Sequence, residues 1–151
     1  MEFTPSKLNT FLLFKLPSAY ISGVRVTKIT NAQCTVSVKH RWINQNPFNS
    51  MYFAVQAMAA ELTTGALVML HIKESGKKIS MLVANNKSTF SKKARGRITF
   101  TCTDGHLIKD AIEKTLATGE GQTFWMKSIG TDEAGDVVSE LHFEWSVRAK
   151  A

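Results

Sequence analysis

The chain of 151 residues has only two cysteines, no low-complexity tract and no repeat of fixed period. Cys34 and Cys102 each lie inside a strand-like run, and two thiols make no disulfide framework. We therefore expect both to be buried thiols in a reducing compartment. The N-terminal region also lacks the pattern of a secretory signal, because Glu2 precedes its short apolar patch and no small-residue cleavage site follows. The sequence argues against export and predicts a cytoplasmic protein.

Motifs of several enzyme classes are absent as well. The chain contains no phosphate-binding loop, no dinucleotide-type glycine pattern, and no G-x-S-x-G, H-E-x-x-H or paired C-x-x-C motif. The histidines are His40, His71, His106 and His142, and they have no metal-ligand spacing. Zinc hydrolysis and serine-nucleophile chemistry are therefore disfavoured, and neither a metal nor a cofactor is predicted.

Acidic residues are in the minority, with 12 Asp and Glu against 19 Lys and Arg, which gives a net charge of +7. Positive charge favours anionic partners, whether nucleic acid, a membrane surface or a phosphate-bearing ligand. The three tryptophans lie in core-like alternation instead of among the basic residues, so a base-stacking platform is not evident. We predict no nucleic-acid partner and no membrane partner. The densest basic cluster is Lys92, Lys93, Arg95 and Arg97.

One long apolar run is present, at residues 50–70, and it carries a single acid, Glu61, near its middle. Its length is close to the roughly 20 residues that cross a bilayer. Gln56, Glu61, Thr63 and Thr64 argue against such a span. A helix that is apolar on nearly every side is otherwise one that is buried in its domain. We therefore predict a buried central helix.

The face of this helix that carries Glu61 also carries Ala54, Ala57, Gly65 and Val68, through the i±3, i±4 and i+7 relations. Small side chains there allow another backbone or a ligand to come close to the acid. An isolated buried charge costs several kcal/mol or more. We expect the Glu61 carboxyl either to be paired or to have a shifted pKa.

The rest of the sequence predicts a sheet around that helix. A short amphipathic helix is expected over residues 5–16, and strands over 23–29 and 34–42; the second strand would turn Cys34, Val36, Val38, His40 and Trp42 to one side. After the long helix, strand patterns occupy 79–90, 97–103, 122–131 and 137–148, with a helix over 104–118 between the second and third. Successive strands without a helix each do not suggest a parallel sheet. We predict an α+β fold in which a curved antiparallel β-sheet wraps around one long central helix.

The surroundings of the long helix supply the parts of an acyl-cleaving site. Asn46 precedes the helix, backbone amides from Phe48 to Tyr52 lie near its N-terminus, and Glu61 lies within it. Amides at a helix N-terminus, aided by the helix dipole, bind a carbonyl oxygen on which negative charge develops. A carboxylate acts as general base for water or attacks a carbonyl itself. The alternative for a lone acid in a helix is a structural hydrogen-bond partner.

The same stretch resembles the hotdog-fold acyl-CoA thioesterases, particularly their phenylacetyl-CoA-type and 4-hydroxybenzoyl-CoA-type members. Those have a pattern close to N-x-x-G-x-x-H-x-G-x-x-x-x-L-x-E/D, and N-P-F-N-S-M-Y-F-A-V-Q-A-M-A-A-E aligns with it without gaps. Asn46 matches the asparagine and Glu61 the helical acid. Asn49, Tyr52 and Ala54 stand where the family has Gly, His and Gly. The similarity continues through F-S-K-K-A and R-G-R-I-T-F-T-C-T to the closing hairpin, and it is greatest to the domain-of-unknown-function 4442 group.

The resemblance implies that residues 1–151 form a single hotdog thioesterase-like domain that hydrolyses an acyl-CoA or related thioester. Glu61 would be the base or nucleophile, and Asn46 would position water or the thioester. The family's active site lies between two subunits, which implies a homodimer or a tetramer of dimers. Coenzyme A is then part of the substrate, not a cofactor. The alternative is a non-catalytic acyl-chain or acyl-CoA binding protein, because Asn49 and Tyr52 replace the family residues.

Two further groups of residues receive roles from the resemblance. The CoA phosphates would be held by the basic cluster. Substrate contacts are expected from Asn49, Ser50, Met51, Tyr52 and Met58.

Overall fold

The computed structural model describes residues 2–151. Its six strands are β1 (Arg25–Ile29), β2 (Cys34–Lys39), β3 (Ile79–Phe90), β4 (Arg97–Cys102), β5 (Gln122–Thr131) and β6 (Val137–Ala149). They form one sheet in the order β1-β2-β4-β5-β6-β3, and every neighbouring pair is antiparallel. The helices are α1 (Pro5–Lys15), α2 (Pro17–Ile21), α3 (Phe53–Ser75) and α4 (His106–Thr118).

Helix α3 is the centre of the fold, with 23 residues and a middle segment that is buried continuously from Leu62 to Val68. The sheet contributes Val36, Phe100 and Trp145 to the same core. By length and composition α3 is apolar enough to cross a membrane, but 61% of its most apolar window is buried inside the fold. The predicted α+β architecture, a curved antiparallel sheet around one long central helix, is confirmed.

Buried polar side chains fix α3 on the sheet at three points. Gln56 Oε1 accepts a hydrogen bond from Ser139 Oγ, the hydroxyls of Thr63 and Ser128 lie 2.8 Å apart, and Trp145 Nε1 donates to Thr64 Oγ1. Leaving a buried polar group without its partner costs about 1–3 kcal/mol. The three bonds therefore oppose rotation or sliding of α3 and hold its other side chains in register.

Most strands lie where the alternation of the sequence places them. The strands predicted over 79–90 and 122–131 have those bounds, and the register shift in β3 falls between Val83 and Asn85. Ile98, Phe100 and Cys102 share the buried face of β4. The first helix is also confirmed, with Thr4 Oγ1 accepting from the Lys7 amide at its start.

The strand predicted over 34–42 is wrong at its end. Strand β2 stops at Lys39, and Trp42 lies in a 3-10 turn with 79% of its surface exposed. The buried Asn44 side chain causes this stop, because it accepts from the Arg41 amide and donates to the carbonyl oxygens of Ser22 and Lys39. The inward orientation expected for Trp42 is therefore wrong.

The core placement expected for all three tryptophans fails in a second case, because Trp125 is 44% exposed. Only Trp145 among the three is buried.

Candidate active site

Asn46 organises the loop that leads into α3. Its Oδ1 accepts hydrogen bonds from the Phe48 amide at 2.9 Å and from the amide and hydroxyl of Ser50 at 3.2 and 3.1 Å. Its Nδ2 donates to Ser50 Oγ and to the Met51 carbonyl. These contacts use the hydrogen-bonding capacity of the amide almost completely. Asn46 thus acts on the site through the shape of the loop.

Asn49 lies at the tip of this loop with φ of 57°, and it is the one residue other than glycine with positive φ among residues 2–151. The left-handed region is strained for most side chains, and Gly and Asn enter it at the lowest cost. The aligned thioesterase pattern has Gly at this position. Asn49 therefore replaces the glycine with the residue type that best tolerates the same backbone conformation.

Several loop amides are already bonded within the chain. Besides the two that donate to Asn46, the Met51 amide donates to the Ala94 carbonyl at 2.8 Å and the Tyr52 amide to the Asn44 carbonyl at 2.9 Å. Helix α3 begins only at Phe53, and the Ser50 hydroxyl before it is engaged with Asn46 in the loop. The helix therefore begins three residues after Ser50, the first residue of the apolar run.

The free amides at this end belong to Asn49, Phe53 and Ala54. None of the three donates a hydrogen bond within residues 2–151. The first amides of a helix have no intrahelical acceptor and carry the positive end of the helix dipole. The donors available to a carbonyl oxygen are therefore Asn49 from the expected loop and the first turn of α3.

A cavity of about 710 Å³ lies at this end of the helix, and Phe53 lines it, whereas Asn49 and Ala54 do not. We call it the N-terminal cavity; residues 46–48, 50–53, 56 and 90–94 line it. Its volume lies in the range of about 300–1,000 Å³ that is usual for small-molecule sites. Tyr52 and Phe53 meet edge to face at 5.2 Å between ring centroids, and Phe53 and Phe90 at 6.0 Å. The structure thus brings Asn46, Ser50, Met51 and Tyr52 to one apolar cavity.

Glu61 is half-buried, and its carboxyl has no hydrogen bond or ion pair within residues 2–151. Burial raises the pKa of Glu61 from 4.5 to about 7. The expectation that the pKa of Glu61 is shifted is confirmed. The alternative, in which Glu61 forms a structural hydrogen bond, has no such bond to support it among residues 2–151. A carboxyl that ionises near neutral pH is suited to accept a proton.

The carboxyl opens to a second cavity of about 350 Å³, which we call the Glu61 cavity. Met58, Glu61 and Leu62 form its α3 side, and residues 15–19 at the α1–α2 junction form the other. Met58 therefore lies with Glu61. One chain alone does not bring these two residues into the same cavity as Asn46, Ser50, Met51 and Tyr52.

A half-buried stripe connects the two regions along α3. It is formed by Ala54, Ala57, Met58 and Glu61. Their spacing of i, i+3, i+4 and i+7 places them on one helix face. A Cβ added at Gly65, the next residue on this face, would lie 3.1 Å from Trp145 Cζ2 and 3.4 Å from Glu61 Oε1. The absence of a side chain at Gly65 therefore gives space to the Trp145 ring and to the Glu61 carboxyl.

The four residues of the basic cluster differ in their hydrogen-bond partners, and only Lys92 has carboxylate partners on its side chain. Lys92 Nζ lies 2.6 Å from Asp132 Oδ2 and 2.7 Å from Asp136 Oδ2. The hydrogen bonds that Lys92 donates to these carboxylates raise the pKa of Lys92, and the one to Asp132 lowers the pKa of Asp132. The charge of Lys92 is thus compensated within the chain.

The other three cations have no carboxylate partner on their side chains. Arg97 Nη1 donates to Ser37 Oγ at 3.2 Å. Lys93 Nζ and Arg95 Nε donate to the carbonyl oxygens of Phe48 and Asn49 at 3.4 and 2.9 Å. Lys93 and Arg95 therefore hold the loop at the N-terminal cavity while their positive charge stays uncompensated.

Gln56 also lines the N-terminal cavity, and sequence reasoning did not select it for function. In the sequence it is only one polar residue in an apolar run. Its partner Ser139 lies 83 positions away. The residue is placed at the cavity by tertiary packing, which no local motif reveals.

Two other kinds of catalytic group are metal ligands and thiols. Among residues 2–151, no group of three or more His, Cys, Asp and Glu side chains is placed to hold a metal ion. Cys34 and Cys102 lie opposite each other on the neighbouring strands β2 and β4. Both are free, buried thiols, as expected, and burial raises the pKa of each to about 12. Thiols of that pKa are protonated at neutral pH and are not nucleophiles.

Solved structures share this architecture over nearly the whole chain. A protein of unknown function from Pseudomonas aeruginosa, described as a probable thioesterase, has a TM-score of 0.82 at 23% identity, with 97% of each chain covered. A protein of unknown function from Chlorobaculum tepidum has a TM-score of 0.83 at 13% identity, with 97% of this chain and 94% of the other covered. A thioesterase from Haemophilus influenzae has a TM-score of 0.75 at 13% identity, with 99% and 93% covered. The fold is therefore the hotdog fold of thioesterase-like proteins.

The family follows from the sequence itself. The model of the family described as domain of unknown function (DUF4442) matches residues 6–147. The chain belongs to this family, as the resemblance predicted. A comparison with curated protein sequences finds no significant match.

Proposed function

We propose that the protein hydrolyses an acyl-CoA or a related thioester, with Glu61 as general base or nucleophile. One observation carries this proposal: the Glu61 carboxyl has no partner, opens to a cavity and has a pKa raised to about 7 by burial. As a base, the carboxylate takes a proton from water while the water oxygen bonds to the thioester carbonyl carbon. The C–S bond then breaks, Glu61 returns the proton to the departing sulfur, and a carboxylic acid and the CoA thiol are released.

The CoA part of the substrate is assigned to positive charge at the N-terminal cavity. The wall of the cavity contains Lys92 and Lys93 and no Asp or Glu, and Arg95 follows it directly in the chain. Such an excess attracts a polyanion. Lys93 and Arg95 are the cations proposed for the phosphates, since Lys92 is compensated by two carboxylates.

We assign the complete site to a cytoplasmic homodimer, or to a tetramer built from such dimers. Strand β3 is a 12-residue edge of the sheet with Leu82 67% exposed, and an open edge of this length is a surface that proteins usually cover. The half-buried stripe on α3 is also partly exposed. We propose a dimer that covers both the β3 edge and the stripe on α3. Such a dimer would join the N-terminal cavity of one subunit to Glu61 of the partner subunit.

The test is thiol release from a panel of acyl-CoA substrates by the wild type, Glu61→Gln and Glu74→Gln. Glu74 lies exposed near the end of the same helix and gives the matched charge change. General-base catalysis contributes about 10²–10⁴-fold, so Glu61→Gln should lose at least about 100-fold in kcat/KM. Glu74→Gln should keep the wild-type rate. Equal rates for wild type and Glu61→Gln would remove Glu61 from the mechanism.

A non-catalytic acyl-CoA binding protein is the second candidate. It is favoured by the loop, in which Asn46 and the amides of Ser50, Met51 and Tyr52 are already engaged. It predicts acyl-CoA binding, measured by calorimetry, without release of thiol. Binding of this kind together with an inactive wild type would select it.

A further inference from the structure

Gln56 presents one unpartnered donor to the N-terminal cavity. The residue is only 4% exposed, and its Oε1 accepts a hydrogen bond from Ser139 Oγ at 2.8 Å. Its Nε2 has no partner, yet no fully buried side-chain N or O within residues 2–151 lacks a partner. Nε2 must therefore be open to solvent. The N-terminal cavity, which Gln56 lines, provides that opening.

This amide contacts the sheet through its oxygen. Ser139 is fully buried and donates to Oε1, which leaves the NH₂ end toward the cavity. Gly130 pairs with Ser139 across β5 and β6. A Cβ at Gly130 would lie 2.9 Å from Ser139 Oγ and 2.6 Å from Phe100 Cε1. The glycine therefore gives the Ser139 hydroxyl the space in which it holds Gln56.

The Gln56 side chain points toward the N-terminal end of α3. Side chains of an α-helix tilt toward its N-terminus, so that of Gln56 extends toward the first turn. The free amides of Phe53 and Ala54 lie in that turn, at the positive end of the dipole. Gln56 and Phe53 both line the N-terminal cavity, so a side-chain donor and a backbone donor are available to an acceptor oxygen bound in it.

We propose that Gln56 Nε2 donates a hydrogen bond to the carbonyl oxygen of the acyl thioester, beside the amides of the first turn of α3. This proposal rests on the proposed function for its ligand class. A donor in such a place binds more strongly as negative charge develops on the oxygen. Ser139 acts as the positioning residue, through Gln56.

The experiment measures binding without turnover. Calorimetry gives the Kd of S-(2-oxohexyl)-CoA, a ketone that cannot be hydrolysed, and of S-hexyl-CoA, which has no carbonyl. The proteins are the wild type, Gln56→Leu, Gln56→Met and Gln33→Leu; Gln33 lies in the turn between β1 and β2 and is the matched control. A hydrogen bond of about 1–1.5 kcal/mol corresponds to roughly tenfold in Kd.

We expect the wild type and Gln33→Leu to bind the ketone about tenfold more tightly than S-hexyl-CoA, and both Gln56 variants to lose this preference. Unchanged affinity for S-hexyl-CoA shows that the cavity is intact. A preference retained in the Gln56 variants, or absent from the wild type, overturns the proposal. If the preference depends on Gln56 but no thioester is cleaved, the hydrolase proposal fails and this one stands. If the wild type binds neither compound, both fail.

Discussion

At the scale of single residues, Asn49 shows how a departure from a family pattern can preserve a backbone. Its φ of 57° is favourable for Gly and acceptable for Asn. We expect Asn49→Gly to change the free energy of unfolding by less than about 0.5 kcal/mol, and Asn49→Ala to lower it by about 1 kcal/mol. Urea unfolding measures both. Equal stability of the two variants would contradict the left-handed conformation.

Glu61 should make stability depend on pH. Its pKa is about 7 in the folded chain against 4.5 as the ordinary value, so between these pH values the native state keeps a proton that the unfolded state loses. The free energy of unfolding therefore falls as pH rises through this window. Glu61→Gln, which mimics the neutral form, should exceed the wild type by about 1–3 kcal/mol at pH 8 and match it near pH 4.

Urea unfolding at both pH values checks this expectation, with Glu74→Gln as the control for a charge change on the same helix. Glu74→Gln should follow the wild type at each pH. A constant difference between Glu61→Gln and the wild type would show that the carboxyl is not protonated near neutrality. If Glu61 is the base, kcat/KM should rise with pH through about 7, because only the carboxylate accepts a proton.

At the scale of elements, the position of α3 depends on polar contacts inside an apolar core. Thr63 and Ser128 are both fully buried, with their hydroxyls 2.8 Å apart. Thr63→Val or Ser128→Ala alone leaves one hydroxyl without this partner and should cost about 1–3 kcal/mol. The double variant should cost less than the sum, with a coupling of about 1 kcal/mol. Additive losses in urea unfolding would show that the contact does not anchor the helix.

The elements that could be predicted are those with a clear periodicity in their own side chains. Alternation over 122–131 and 137–148 and the apolar run of α3 are local signals, and they yielded the right strands, helix and fold. One error is the core placement of Trp125; the others fall at Trp42 and at the start of α3. There Asn44 and Asn46 bind backbone groups of the approach to the helix, and Asn44 also reaches Ser22, 22 positions away. Periodicity carries no information on such bonds.

The candidate site divides in the same way. Asn46 and Glu61 could be selected from one aligned stretch, because both lie in a continuous motif. Gln56 could not be selected in this way, since its position at the cavity depends on a hydrogen bond from Ser139 in a distant strand. The spacing of the basic cluster likewise did not show that Asp132 and Asp136 compensate Lys92. Ion pairs and cavities formed by distant segments require the folded chain.

At the scale of the whole molecule, the separation of the two cavities is the main feature to explain. The N-terminal cavity has donors and an apolar wall, whereas the Glu61 cavity has the carboxyl. A symmetric dimer has the same patch on both subunits, so each N-terminal cavity can receive Glu61 of the partner subunit. Catalysis would then require two copies of the chain, each supplying half of every site.

Subunit complementation tests this arrangement. Glu61→Gln and Asn46→Ala should each be nearly inactive alone, the second because the loop loses its organising side chain. When the two are unfolded together and refolded at equal ratio, half of the dimers are mixed and each mixed dimer has one intact site, so activity should rise to about a quarter of the wild type. When the mixed dimers are isolated through two different tags, all of the recovered activity should be found in them. If they are no more active than the two parents, each site lies within a single chain.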